Sequence, residues 1–121
     1  MGDEYNIQNV TEVLGIYPTE TWNKGDKIRN SDQERSYTAW IYSTESIETL
    51  NISTLIEKIE QVFRPKIKEI CQLKEKYDLD ISLDFVIIIE HEEVPAIYFE
   101  PEFLEFASRI GARLDLDTYV N

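Results

Sequence analysis

A chain of 121 residues with 42% hydrophobic and 30% charged content has the make-up of a single globular domain, neither disordered nor fibrous. It is long enough to bury roughly two thirds of its unfolded surface. Twenty-four acids against twelve Lys and Arg give a net charge of −12, which repels phosphate backbones and anionic lipid and argues against nucleic-acid or membrane partners.

The excess of acid is uneven. Residues 1–77 hold thirteen acids and ten bases, whereas residues 78–121 hold eleven acids and only Arg109 and Arg113. A field of that sign speeds encounter with a basic protein, and it equally serves to keep a surface solvated. No apolar run approaches the ~20 residues that span a bilayer. The start, Met1-Gly2-Asp3-Glu4-Tyr5, lacks the charge and apolar core of a signal peptide. The single cysteine, Cys71, suits a reducing compartment, so a cytoplasmic location is expected.

In chain order, Asn6 to Leu14 reads as a short helix with Ile7, Val10, Val13 and Leu14 on one side and Gly15 in a left-handed closing position. A strand follows around Glu20 to Asn23, then a turn at Lys24-Gly25-Asp26 and a polar hairpin loop over 29–35, expected to be mobile. Ser36 to Ser43 alternates as a second strand, and Glu45 to Asn51 is a connector. Thr54 and Glu57 have capping-box spacing, opening a helix whose apolar stripe runs to Tyr77 with a kink or break near Phe63 or Arg64, ahead of Pro65.

Asp80 to Glu90 is the most apolar run, with Ile81, Leu83, Phe85, Ile87 and Ile89 alternating strictly, and is expected to be the central strand. After a turn at His91 to Val94, Ala96 to Glu100 reads as a short strand. Pro101 opens a third helix that Gly111 stops, and Ala112 to Val120 is the last strand. The order α-β-β-α-β-β-α-β implies an α+β fold: one mostly antiparallel sheet of about five strands, with three helices on one face, forming a single domain over residues 1–121.

Several patterns resemble the uncharacterised bacterial domain-of-unknown-function family 4279. They are Val13-Leu14-Gly15-Ile16-Tyr17-Pro18-Thr19, Trp22-Asn23-Lys24-Gly25-Asp26 and Trp40, then Pro101-Glu102-Phe103-Leu104, Ile110-Gly111-Ala112 and Leu114-Asp115-Leu116-Asp117-Thr118-Tyr119. The resemblance carries no established activity. It implies a strand ahead of the first helix, of which Gly2-Asp3-Glu4 would be the end, and a missing first strand would leave an open sheet edge for a second copy or a partner strand.

Catalytic signals are weak. His91 sits in Glu90-His91-Glu92-Glu93, where neighbouring turn side chains point apart instead of converging on a metal. Cys71 has no histidine partner in prospect beyond that acidic turn. Scattered glycines exclude a phosphate loop. Trp22 and Trp40 bracket the first hairpin, where large aromatics mostly pack.

One constellation remains. Asp80, Asp84, Asp115, Asp117, Tyr98 and Tyr119 fall opposite the apolar residues of their strands, with Trp40 and Tyr42 as further members. Carboxylates interleaved with aromatics form a surface suited to a basic protein, and the same residues would also make a plain solvated face. The expectation is a non-catalytic, acidic protein-binding module without a cofactor, of the kind an immunity protein uses to mask a basic toxin. The rival readings are a subunit that self-associates through an open edge and an enzyme that uses paired carboxylates.

Overall fold

The computed structural model describes residues 1–46 and 51–120. The chain is α+β, with α1 (Ile7–Leu14), β1 (Glu20–Trp22), β2 (Ala39–Ile41), α2 (Ser53–Phe63), α3 (Ile67–Tyr77), β3 (Ile81–Ile89), α4 (Pro101–Arg109) and β4 (Ala112–Val120). A 3-10 turn at Arg64–Lys66 joins α2 to α3, so the described helices form three helical runs. Two compact units are present: one combines Met1–Ser43 with Lys68–Asp80, the other Thr44–Ile67 with Ile81–Asn121.

The strands do not form the expected single antiparallel sheet of five. The described strands form two sheets of two: β1 with β2, antiparallel, and β3 with β4, parallel. The reason lies after β3. The expected turn is made, with Glu90 and Glu93 bridged and His91 and Glu92 both at positive φ (54° and 61°). The returning segment then fails to become a strand. Pro95 brings no amide donor to a ladder, and Ala96 makes only an isolated parallel bridge to Asn51. Phe99 instead lies against Phe85 and Phe103, with ring centroids 5.6 and 5.7 Å away. The next strand to reach β3 arrives through α4, the kind of crossover that parallel pairing requires.

In the first unit, Asn6 caps α1 by accepting the Asn9 amide at 3.0 Å, and Gly15 closes it at φ 68°. Val10 and Leu14 are buried on its inner side. The second strand is shorter than its alternation suggested: only Ala39–Ile41 pairs with β1, while Thr38 bridges to Gly2. Met1 and Asp80 also exchange backbone hydrogen bonds, each of 2.6 Å. The first two residues are thus hydrogen-bonded to two different segments of the unit. The polar loop over 29–35 is a hairpin arm stitched at its base, with Gly25 donating to Arg35 and Ile28 to Gln33.

Side chains complete this unit. Trp40 Nε1 donates to Thr11 Oγ1 at 3.0 Å, and Asn9 Nδ2 donates to Tyr77 Oη at 2.8 Å. Thr38 is fully buried, its hydroxyl accepting the Lys24 amide. Trp22 is flanked by Tyr37 and by the Arg35 guanidinium, 3.8 Å from its ring. Burial pushes the Tyr5 phenol above its ordinary pKa, against a weaker opposing hydrogen bond from the Trp40 backbone. The hydrogen bond and charge of Asp3 raise that of the exposed Lys24 ammonium, which it meets at 2.6 Å.

In the second unit the capping box does not form. The residue ahead of α2 is Ile52, which offers no side-chain cap, and Asn51 Oδ1 instead accepts the Ser53 amide at 2.9 Å. Residues 47–50 of the expected connector lie outside the described residues. The proline does what its chemistry demands: it stands in the 3-10 turn where α-helical bonding is interrupted. Pro101 is the first residue of α4, and Gly111 follows the helix at φ 64°. Phe103, Phe106, Ala107 and Ile110 are buried and, with Ile52, Ile56, Phe85 and Ile87, make the core of the unit.

Candidate functional site

The parallel register decides which side chains meet. Residues opposite one another in a ladder share a face. Phe85 stands beside Leu116 and Ile87 beside Thr118 on the core side, while Asp84 stands beside Asp115, Val86 beside Asp117 and Ile88 beside Tyr119 on the other. The second row is open: Val86, Ile88 and Tyr119 are each more than half exposed, at 58%, 56% and 57%, and the three aspartates are exposed with them. Ser82 and Arg113 continue the row at its near end, and the Ser82 hydroxyl donates to Asp84 Oδ1.

This face offers three carboxylates, one phenol and two branched apolar side chains over two neighbouring strands. The carboxylates can pair with guanidinium or ammonium groups, while Val86, Ile88 and the Tyr119 ring supply apolar contact area. Asp84 and Asp115 are both exposed, whereas the paired carboxylates of a glycosidase flank a bound sugar.

Of the residues singled out in the sequence, the structure brings Asp84, Asp115, Asp117 and Tyr119 together. Tyr98 belongs to the same unit but lies in the irregular segment before α4, where its hydroxyl accepts from Asn51 Nδ2 at 3.1 Å. Asp80, Trp40 and Tyr42 belong to the other unit. There, Asp80 pairs its backbone with Met1, and the half-buried Trp40 is engaged by Thr11 of α1. Alternation puts Val86 and Ile88 on the even-numbered face of the strand, where two apolar side chains suggest contact with other elements; both are exposed instead. Arg113 was likewise legible from the alternation of the last strand.

Elsewhere the chemistry is sparse. A shallow depression of about 270 Å³ on α2 is lined by Glu57, Glu60, Gln61 and Arg64. The Arg64 guanidinium is already committed, to Glu60 Oε2 at 3.0 Å and to the Glu102 carbonyl at 3.1 Å. Among the described residues no three His, Cys, Asp or Glu side chains gather in a way that could hold a metal ion. No described helix is long and apolar enough to cross a membrane.

The fold and surface together define a small α+β domain with an open, acidic strand pair. The match to the family model for Domain of unknown function (DUF4279) extends over residues 1–121, and the chain belongs to that family. No curated protein and no solved structure matched the chain in the same comparisons.

Proposed function

We propose that this domain is a non-catalytic binding module that holds a basic protein on the outer face of β3 and β4. One observation carries the reading: the register aligns Asp84 with Asp115 and Asp117 with Val86 on an exposed face that also presents Ile88 and Tyr119. Carboxylates alone would suit a solvated surface. Branched apolar and aromatic side chains left in water among them favour an occupant that desolvates the apolar groups and neutralises the acids. The excess of acid in residues 78–121 extends the attraction and would raise the rate of encounter. Masking a basic toxin, as an immunity protein does, is one role that fits, and a cytoplasmic setting fits the lone cysteine.

The test is affinity capture at low and moderate salt with the parent chain and an Asp84→Asn/Asp115→Asn/Asp117→Asn variant. A basic protein held by the parent, weakened by salt and lost with the variant supports the reading. Equal capture by both chains, or no capture at either salt, overturns it.

A further inference from the structure

Phe85 and Leu116 are partners on the same side of the same sheet, yet Phe85 is 6% exposed and Leu116 42%. Farther along, Ile87 is buried while Thr118 is exposed, and Val120 is 77% exposed. From Asp115 onward β4 is exposed at every residue, on both faces. It also pairs only with β3 among the described residues, so its outer edge carries a row of backbone donors and acceptors with no strand beside it. Strands of parallel sheets are ordinarily covered on both faces, and a sheet of two strands is marginal by itself. Among the described residues, β4 has no second neighbour that would complete the ladder and cover Leu116, Thr118 and Val120.

The charges select that neighbour. A second copy pairing antiparallel with β4 along its whole length would be centred on Leu116. That register sets Asp115 directly against the other copy's Asp117, twice, and like charges opposite one another destabilise a ladder. An anionic partner fares worse. A strand with Lys or Arg at alternate positions would set cations against Asp115 and Asp117 on the outer face. Its intervening apolar side chains would fall on the inner face, beside Leu116, Thr118 and Val120.

We infer that the outer edge of β4 accepts one extended segment of a partner protein in which Lys or Arg alternates with apolar residues. This rests on the binding-module reading above and deepens it, naming the shape of the ligand as well as its charge. The stretch from Leu114 to Val120, beyond the cation of Arg113, spans roughly 20 Å at strand rise, so a segment of about seven residues matches it.

Two peptides test the inference: Lys-Val-Lys-Val-Lys-Val-Lys and the block order Lys-Lys-Lys-Lys-Val-Val-Val, equal in charge and composition. Each is titrated at low salt while amide exchange and chemical shifts are followed across residues 113–120. The alternating peptide is expected to bind at least about tenfold more tightly than the block peptide and to slow exchange of amides on β4. The Asp115→Asn/Asp117→Asn variant is expected to lose about tenfold in affinity and most of the salt dependence. Equal binding of the two peptides without slowed exchange would overturn the edge inference and leave the acidic face standing. No binding of either peptide would overturn both. Protection of β4 that grows with protein concentration in the absence of peptide would overturn the inference in favour of a second copy.

Discussion

The two sheets of this protein are backed by different kinds of core. β1 and β2 pair over only three residues, and their unit joins a core of small aliphatic groups, Val10, Leu14, Ala39, Ile70 and Leu73, to polar stitches from outside the ladder. Trp40 is tied to Thr11, Asn9 to Tyr77, the Lys24 amide to Thr38, and Met1 and Gly2 to Asp80 and Thr38. β3 and β4 pair over nine residues, and the buried side rests on the clustered rings of Phe85, Phe99, Phe103 and Phe106. A short strand pair needs many specific partners, each contributing modestly; a long one can depend on a few large buried groups.

The contrast can be broken at its strongest point first. Phe106 is fully buried beside Phe103, and Phe106→Ala is expected to cost about 3–5 kcal/mol in urea denaturation, with loss of amide protection along β3. A loss below about 1 kcal/mol would mean that the aromatic cluster does not hold the unit. In the stitched unit, Thr11→Val leaves Trp40 Nε1 without its acceptor and is expected to cost about 1–2 kcal/mol. Because Trp22 and Trp40 both lie in that unit, tryptophan emission reads its unfolding directly.

Smaller effects sharpen the same picture. Glu92 holds φ 61° without being glycine, so Glu92→Gly is expected to stabilise the protein by up to about 1 kcal/mol; unchanged or lowered stability would count against strain in this turn. Tyr5 adds a pH dependence. Its folded pKa is raised, so its contribution is fully present below the unfolded value of 10.0 and is lost as pH rises from there through the folded value. Tyr5→Phe should flatten that alkaline loss, and an identical pH profile in the variant would refute the assignment. Weakest of all, the exposed Lys24–Asp3 pair is expected to show no effect on the denaturation midpoint at high salt when Lys24 is changed to Ala.

Much of the local structure was legible in the sequence. Gly15, Pro65, Pro101 and Gly111 act through backbone chemistry that a single residue carries, and each stands where that chemistry placed it. Alternation also assigned the two faces of β3 and β4. Pairing was not legible, because alternation tells which way a side chain points and nothing about which strand lies alongside. Ala96 to Glu100 alternates like a strand, yet the affinity of Phe99 for the rings of Phe85 and Phe103 accompanies an irregular path. The capping-box spacing of Thr54 and Glu57 lost to Asn51, whose carbonyl oxygen meets the free Ser53 amide from outside the helix. In the same way Trp40 and Tyr42 looked like members of the acidic face, because a sequence does not disclose that two strands belong to different units.

The chain passes from one unit to the other three times, after Ser43, after Ile67 and after Asp80. Neither unit is a continuous stretch of the gene. A single truncation that removes one leaves the other incomplete, and a fragment carrying only Ile81 to Val120 would keep the acidic strand pair while discarding α2 and Asn51. A crossover at any one site within the chain would likewise split at least one of the two units.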